Sequence, residues 1–429
     1  MSPMRLFKWL YPGMRVKRWF LIAVAGVMTF GIGSALLPID GGIRLRLVSL
    51  VMLVGGLVFL ALGAGGILRS LLEVVSPPEK HDLVELVYQR RHLEKGPRIV
   101  AIGGGTGLST LLQGLKQYTT NITAIVTVAD DGGSSGRLRQ EFDVLPPGDI
   151  RNCLVALADT EPLMQRLFQY RFADDSALQG HSFGNLFITA MTKITGDFER
   201  AVQASSKVLA IRGRVVPSTN TKVRLVAEHE DGSVTLGESK ISHASSPIRR
   251  VYLEPSHCQP TIEALEAIRH ANAIILGPGS LFTSVIPNLL VDRMVDAIVQ
   301  SQALKVYVCN VMTQSRETHG FTASDHVKAL IAHTNPGIVQ VCIVNTATVP
   351  QDLLEKYRQE EAFAVEVNIN QVRAMGYQVV AGNIISTEDY IRHDPDQLAK
   401  LIIQLIVGAR GRQLSAAGPG GHAQPVVMR

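Results

Sequence analysis

The sequence predicts an α/β fold: a doubly wound, mostly parallel sheet with a small β excursion, preceded by a two-helix transmembrane hairpin. Three observations predict it. Short apolar runs rich in β-branched residues alternate with helical periodicity from Arg98 to Val407, as βα units with buried parallel strands require. Several of these runs end in glycine-rich turns, the first being Gly103-Gly104-Gly105-Thr106-Gly107. Near the N-terminus, Phe20–Ile39 and Leu47–Leu68 carry no charge, and each is about the 20 residues that a hydrocarbon core of roughly 30 Å requires.

The two apolar runs are joined by a tight polar connection containing Pro38, Asp40, Gly41 and Gly42, so a hairpin satisfies its backbone internally. Gly31 and Gly33, with Gly55, Gly56, Gly63, Gly65 and Gly66, are expected to let the helices approach closely. Arg5, Lys8, Arg15, Lys17 and Arg18 precede the first run, whereas the connection offers Arg44 and Arg46 against Asp40. The bias of basic residues toward the inside places the N-terminus, and all that follows Arg69, in the cytoplasm. A second span argues against a cleaved signal peptide. The expected organisation is a basic cytoplasmic N-terminus (1–19), a membrane hairpin (20–68), a linker (69–97), a ligand-binding domain (98–408) and a disordered tail (409–429).

The net charge of +5 across 429 residues is concentrated in the membrane flank and in Arg410, Arg412 and Arg429. No basic helix with interleaved aromatics marks a nucleic-acid surface, so no nucleic acid is expected as partner. Cys153, Cys258, Cys309 and Cys342 are far apart and suit neither a disulfide framework nor a zinc site.

In the expected domain, strand Arg98–Ile102 leads through the glycine turn into a helix from Leu108 to about Tyr118, then strand Asn121–Val128. Helical periodicity fills 150–208. Alternation at Val223, Leu225 and Ala227, then Asp231-Gly232, then Val234 and Leu236, predicts the β excursion. Helix Ile262–His270, strand Ala273–Leu276, a helix around Leu289–Gln300, strand Lys305–Cys309, helix Ser324–Ala332, strand Val339–Val344, strand Gln378–Val380 and helix Asp394–Val407 complete the alternation.

Five motifs carry the candidate chemistry. The turn Gly103–Gly107, followed by Leu108, lets backbone amides and a helix N-terminus meet a phosphate; it is neither a GxGxxG nor a Walker loop. Asp130 and Asp131, leading into Ser134, Ser135 and Arg137, can take ribose hydroxyls or a divalent cation. Asp149 can cap a helix, Arg151 near it is a candidate phosphate fork, and Asn152 is a further ligand candidate. His181 and Asn185 open an apolar helix, where a histidine is more often structural than catalytic. Gly277, Gly279 and Ser280 form a second anion nest, and Arg392 precedes the last helix. No nucleophile elbow, metal cluster or histidine–carboxylate spacing accompanies them.

At these residues the sequence resembles the bacterial YvcK-like gluconeogenesis factor family. Gly103–Leu108, Asp130–Arg137, Pro147–Asn152, His181–Asn185, Leu276–Ser284 and Cys309-Asn310-Val311-Met312-Thr313-Gln314 carry the resemblance, which spans about Arg98 to Gly408. It implies a Rossmann-like fold that binds UDP-sugars, notably UDP-N-acetylglucosamine, in a regulatory protein needed for cell shape and cell-wall precursor supply during gluconeogenic growth. It implies Asn310, Thr313, Tyr357 and Arg392 as further ligand contacts, and envelope-synthesis proteins as partners; a homo-oligomer is expected. The 2-phospho-L-lactate transferases of the CofD-like superfamily are more distantly similar. They make Mg²⁺-dependent phospho-group transfer, with Asp130, Asp131 and Asp149 around the metal, the alternative. Arg151 and Asn152 stand where that alternative expects acidic character, so binding without catalysis is the leading expectation. Nicotinamide redox chemistry would follow from fold analogy alone.

Overall fold

In the computed structural model, residues 16–38, 42–75, 93–159, 162–173, 176–386 and 390–416 are described. The first fifteen residues, most of the expected linker and residues 417–429 of the expected tail lie outside these ranges. The chain divides into two compact units, 1–87 and 88–429.

The first unit is a helical hairpin, α1 (Val16–Leu36) and α2 (Gly42–Val75). Both helices are long and apolar enough to cross a membrane. Leu21, Val51 and Leu57 are largely exposed, as residues facing hydrocarbon would be. The helices meet at small residues: a Cβ on Gly56 would stand 2.6 Å from the Phe30 amide nitrogen, and one on Gly63 equally close to that of Ala23. Gly33 and Gly66 also face the partner helix, but Gly31, Gly55 and Gly65 meet nothing and belong to the outer surface. Ser49 Oγ donates to the Gly33 carbonyl at 2.6 Å, satisfying its hydroxyl inside the pair.

The second unit is built on β1 (Ile99–Gly103), β2 (Ile122–Val126), β3 (Arg214–Pro217), β7 (Ala273–Leu276), β8 (Leu304–Val308), β9 (Val341–Asn345) and β10 (Gln378–Gly382). They form one sheet in the order β10-β9-β8-β7-β1-β2-β3, and every pairing is parallel. β1, β2 and β7 are buried along their whole length, which explains why they read as continuous apolar runs. From β1 the chain winds outward to β3, then returns to lay β7 against the other side of β1 and winds outward again to β10. With right-handed crossovers, the two directions put helices on both faces of the sheet. The helix Gly105–Leu115 packs beside Gly148–Leu157 and Pro395–Ala416, and Ile262–His270 packs beside Met294–Gln300.

The β excursion is a separate antiparallel sheet in the order β5-β4-β6, from β4 (Arg224–His229), β5 (Val234–Leu236) and β6 (Ile248–Glu254). A two-residue ladder of β11 (Ile385–Ser386) and β12 (Arg392–His393) closes the chain before the last helix. Two differences from the sequence reading have plain causes. The last helix runs to Ala416, because Gly408 and Gly411 inside a helix each cost only about 1 kcal/mol and no proline follows before Ala416. The region Leu281–Leu289 forms a π turn and a short helix instead of loop, so the helix expected around Leu289 begins at Met294.

Candidate functional site

The β1–β7 border is the point where the winding direction reverses, and ligands of open α/β sheets bind outside the strand C-terminal ends at such a point. A cavity of about 420 Å³ opens there, within the ~300–1,000 Å³ typical of small-molecule sites. Its walls come from Gly104–Gly107 after β1, Asp130 after β2, Gly279 and Ser280 after β7, Asn310 after β8, and Arg392 and His393 of β12.

The two glycine turns touch. Gly105 has φ +64°, which a side chain would strain, and a Cβ on Gly107 would stand 2.7 Å from the Pro278 carbonyl oxygen. The N-cap residue of the helix Gly105–Leu115 is Gly104, which has no side chain to cap it. Asp149 takes the Gly105 amide, and the amides that follow in the first turn lie at the cavity wall with the positive end of the helix dipole. Asn310 braces the second turn: its Nδ2 donates to the Gly279 carbonyl at 2.9 Å, and the Gly279 amide donates to its Oδ1 at 3.3 Å. Gln314 Nε2 donates to Ser280 Oγ at 2.6 Å.

The floor is acidic. The Gly132 amide donates to Asp130 Oδ1 at 2.8 Å. Asp149 accepts from the Gly105 amide, and burial, reinforced by the neighbouring Asp130 charge, raises its carboxyl to about 7. Glu238 is raised to about 8 by burial and then by the charges of Asp130 and Glu317. Glu317 is raised to about 7 by burial, against the hydroxyls of Thr283 (3.3 Å) and Ser242 (3.4 Å). Asp131 does not join this group: it turns away to accept the Ser239 amide at 2.9 Å, capping the short helix Glu238–Ile241. The expected Asp130–Asp131–Asp149 triad is therefore not assembled. Among the described residues, no group of three or more histidine, cysteine, aspartate or glutamate side chains is arranged to hold a metal.

Several sequence candidates form a supporting network instead of the cavity wall. Ser135 Oγ accepts from the Gly148 amide at 3.1 Å. Asn185 Nδ2 donates to Ser134 Oγ at 3.1 Å, and Ser134 Oγ shares a hydrogen bond with His181 Nδ1 at 3.0 Å. Burial, and then the Arg137 charge, lowers the His181 pKa. Arg137 donates to the Gln179 carbonyl at 2.6 Å. Arg151 donates to Ser182 Oγ (2.5 Å) and to Asn152 Oδ1 (2.6 Å), and neither Arg151, the expected phosphate fork, nor Asn152 lines the cavity. Thr313 exchanges hydrogen bonds with Phe363 at 2.7 and 2.9 Å, and Leu108 is a core residue with no exposed surface. Gly103 and Gly277 are backbone positions on either side of the β1–β7 border.

Tyr357 acts through the backbone. Its hydroxyl accepts from the Ile391 amide at 3.1 Å, fixing the segment that carries Arg392. The Arg392 guanidinium lies 5.5 Å from the centre of the Tyr390 ring, and Lys356 Nζ lies 4.0 Å from it. The sequence reading missed Glu238, Glu317 and His393. His393 is buried with Nε2 3.3 Å from the Cys309 carbonyl, and burial lowers its pKa to about 4. Glu238, which lines the cavity, and Glu317, buried against Thr283 and Ser242, stand in no local motif and come together only through the tertiary fold, whereas His393 adjoins Arg392 in the sequence.

With this geometry in place, known proteins supply a family. The family model described as "2-phospho-L-lactate transferase CofD" matches residues 99–385. The "Gluconeogenesis factor" of Bacillus subtilis (strain 168) is 51% identical over 311 residues, which are 72% of this chain and 98% of that protein. The "Putative gluconeogenesis factor" of Nostoc sp. (strain PCC 7120) is 47% identical over 424 residues, taking in 94% of this chain and 93% of that one. A crystal structure of a UPF0052 family member from Bacillus halodurans superposes with a TM-score of 0.71 at 49% identity, covering 72% of this chain and 99% of that one. The chain belongs to the CofD family and, within it, to the gluconeogenesis factors of the YvcK/UPF0052 type.

Proposed function

We propose that this gluconeogenesis factor binds a UDP-sugar, UDP-N-acetylglucosamine in the first instance, and uses it as a signal in the supply of cell-wall precursors and the control of cell shape. The carrying observation is the contact of two glycine-rich turns at the β1–β7 border, in a cavity that Arg392 also lines. Amides of the two turns suit the diphosphate, and Arg392 at the wall supplies a cation to it. Asp130 stands where hydroxyls of the sugar could donate to it. The carboxyls raised to about 7 and 8 reduce the negative charge an anion would meet near neutral pH. The acidic floor is also the observation that favours the second reading, phospho-group transfer.

Isothermal titration of the purified chain with UDP-N-acetylglucosamine tests the first reading, with product analysis of the same mixtures. Losing one charge-assisted partner costs roughly 1.5–3 kcal/mol, so Arg392→Ala should weaken binding about tenfold to a hundredfold. Absence of heat with any UDP-sugar would sink the binding reading, and Mg²⁺-dependent product formation would favour transfer.

The hairpin is read as a membrane anchor that holds the domain on the cytoplasmic side, where envelope-synthesis proteins would be its partners. In protease-protection experiments on sealed cells, the domain should be cleaved only after the membrane is opened. Cleavage from outside intact cells contradicts this topology.

A further inference from the structure

A second cavity of about 390 Å³ lies beyond the C-terminal ends of β8 and β9 and shares Asn310 and Val311 with the first. The two differ in kind. The first is lined by Asp130, Asp149, Glu238, Arg392 and His393 as well as glycines. The second has no acidic or basic side chain in its lining, and its walls are Val311, Val344, Val349, Leu354, Val365 and Val367. Its amide side chains are already committed. Asn345 Oδ1 accepts from the Ala347 amide at 3.2 Å while its Nδ2 donates to the Ala347 carbonyl at 3.1 Å. Asn310 is bound on both sides to Gly279. The space is therefore apolar, with the hydroxyls of Thr346 and Thr348 as its polar side-chain groups besides these amides.

A molecule with a charged middle and an uncharged aromatic end meets both environments at once. We propose that the second cavity is the base compartment of the site. An uncharged heteroaromatic ring of nucleobase size packs between the loops after β8 and β9, with its diphosphate on the glycine turns. Asn310 and Val311 then form the sill between them. The inference rests on the nucleotide-sugar reading above and adds the direction in which the ligand lies: base over β8 and β9, sugar over the carboxyls of Asp130 and Asp149. Apolar walls suit the faces of a planar ring, and its carbonyl and N–H edge then needs the Thr346 and Thr348 hydroxyls or water at the cavity mouth as partners. Val311 and Val349 also belong to a small apolar cluster with Ile391 that packs against Leu354 and Tyr357. Filling the second cavity thus bears on the segment that carries Arg392.

The test is a filled cavity. Ala347 is half-buried in the wall and is held through its backbone by Asn345, so Ala347→Trp narrows the space without removing a hydrogen bond. Thr348→Trp, at an exposed position in the same wall, is the second variant if the first does not fold as judged by thermal unfolding. UMP, UDP, UDP-N-acetylglucosamine and inorganic pyrophosphate are titrated into the full chain and its variants. All three uridine ligands should weaken by roughly tenfold or more, with pyrophosphate within about twofold of wild type. If only UDP-N-acetylglucosamine weakens, the sugar lies there and the assignment is wrong. If all three bind as before, the compartment is unused although the nucleotide-sugar reading stands. If the unaltered chain binds no uridine ligand, both fall together.

Discussion

Gly107→Val is expected to abolish nucleotide-sugar binding and to lower the stability of the domain. Gly107 sits in the first turn of the helix that follows β1, and a Cβ there would stand 2.7 Å from the Pro278 carbonyl oxygen and 3.0 Å from the Gly279 nitrogen. Those are backbone atoms, and neither can yield easily. β7 is paired with β1 in register from Ala273 to Leu276, and Asn310 clamps Gly279 from the far side. The helix and the second glycine turn must separate instead. Overpacking of this kind costs about 1–3 kcal/mol. Binding suffers more, because the amides of both turns lose their common aim, and two lost charge-assisted hydrogen bonds correspond to roughly a hundredfold or more in affinity. Gly408→Ala is the matched control: that position lies in the last helix with open space around it, and the change should leave binding intact while gaining up to about 1 kcal/mol. Calorimetric titration and thermal unfolding of both variants read the outcome; wild-type affinity in Gly107→Val would remove the glycine turns from the site.

The parts of this protein that were legible in the sequence are those that local physics dictates. Ala273–Leu276 is bounded by a helix end and a glycine turn, and a four-residue buried strand between such marks leaves little freedom at either end. The hairpin, the β excursion and the two glycine turns are local in the same sense. The sheet order is not. Nothing between β3 and β7 announces that β7 returns beside β1, yet this alone brings Gly279 to Gly107. Asp130 and Asp131 show the limit most sharply. Adjacent in one loop and equal in chemistry, they diverge because the Ser239 amide is there to capture Asp131 while Asp130 faces the cavity. Glu238 and Glu317 enter from segments with no motif of their own, so their place depends wholly on long-range packing. Arg151 was readable as a cation near the site, but Ser182 and Asn152 engage it away from the cavity.

The acidic floor makes the pH dependence of this protein unusual in sign, and the effect should be large. Asp149 and Glu317 stand at about 7 and Glu238 at about 8, all above their ordinary values near 4, chiefly because burial disfavours their charged forms. The native state therefore holds protons that the unfolded chain releases, so the stability these carboxyls contribute is full below about pH 4, falls as pH rises from there, and levels off above their folded values of about 7 and 8. For Asp149, the rise from 3.8 to about 7 corresponds to on the order of 4 kcal/mol between the two limits. His393 works in the opposite direction, since burial lowers it to about 4 and keeping it neutral costs stability only below its ordinary 6.5. Between pH 8.5 and 6.5 the carboxyls act alone, and the melting temperature should climb by several degrees on acidification. Below pH 6.5 His393, His326 and His333, all lowered by burial, oppose the carboxyls and flatten the climb. Affinity for a UDP-sugar should climb in the same window, because each carboxyl that takes a proton removes a negative charge from the floor beneath the diphosphate. Asp149→Asn separates this cause from others. The amide oxygen still accepts the Gly105 amide, the volume is unchanged, and the charge is gone at every pH. The variant should be more stable than wild type at pH 8.5 and by only slightly less at pH 6.5, the two converging toward pH 4 where Asp149 is protonated in both states, and it should be flatter in both its unfolding and its binding profiles. A pH slope unchanged by Asp149→Asn, or wild-type stability that increases from pH 6.5 to 8.5, would show that the floor carries its charge when folded. A diphosphate lying over it would then need a cation to accompany it.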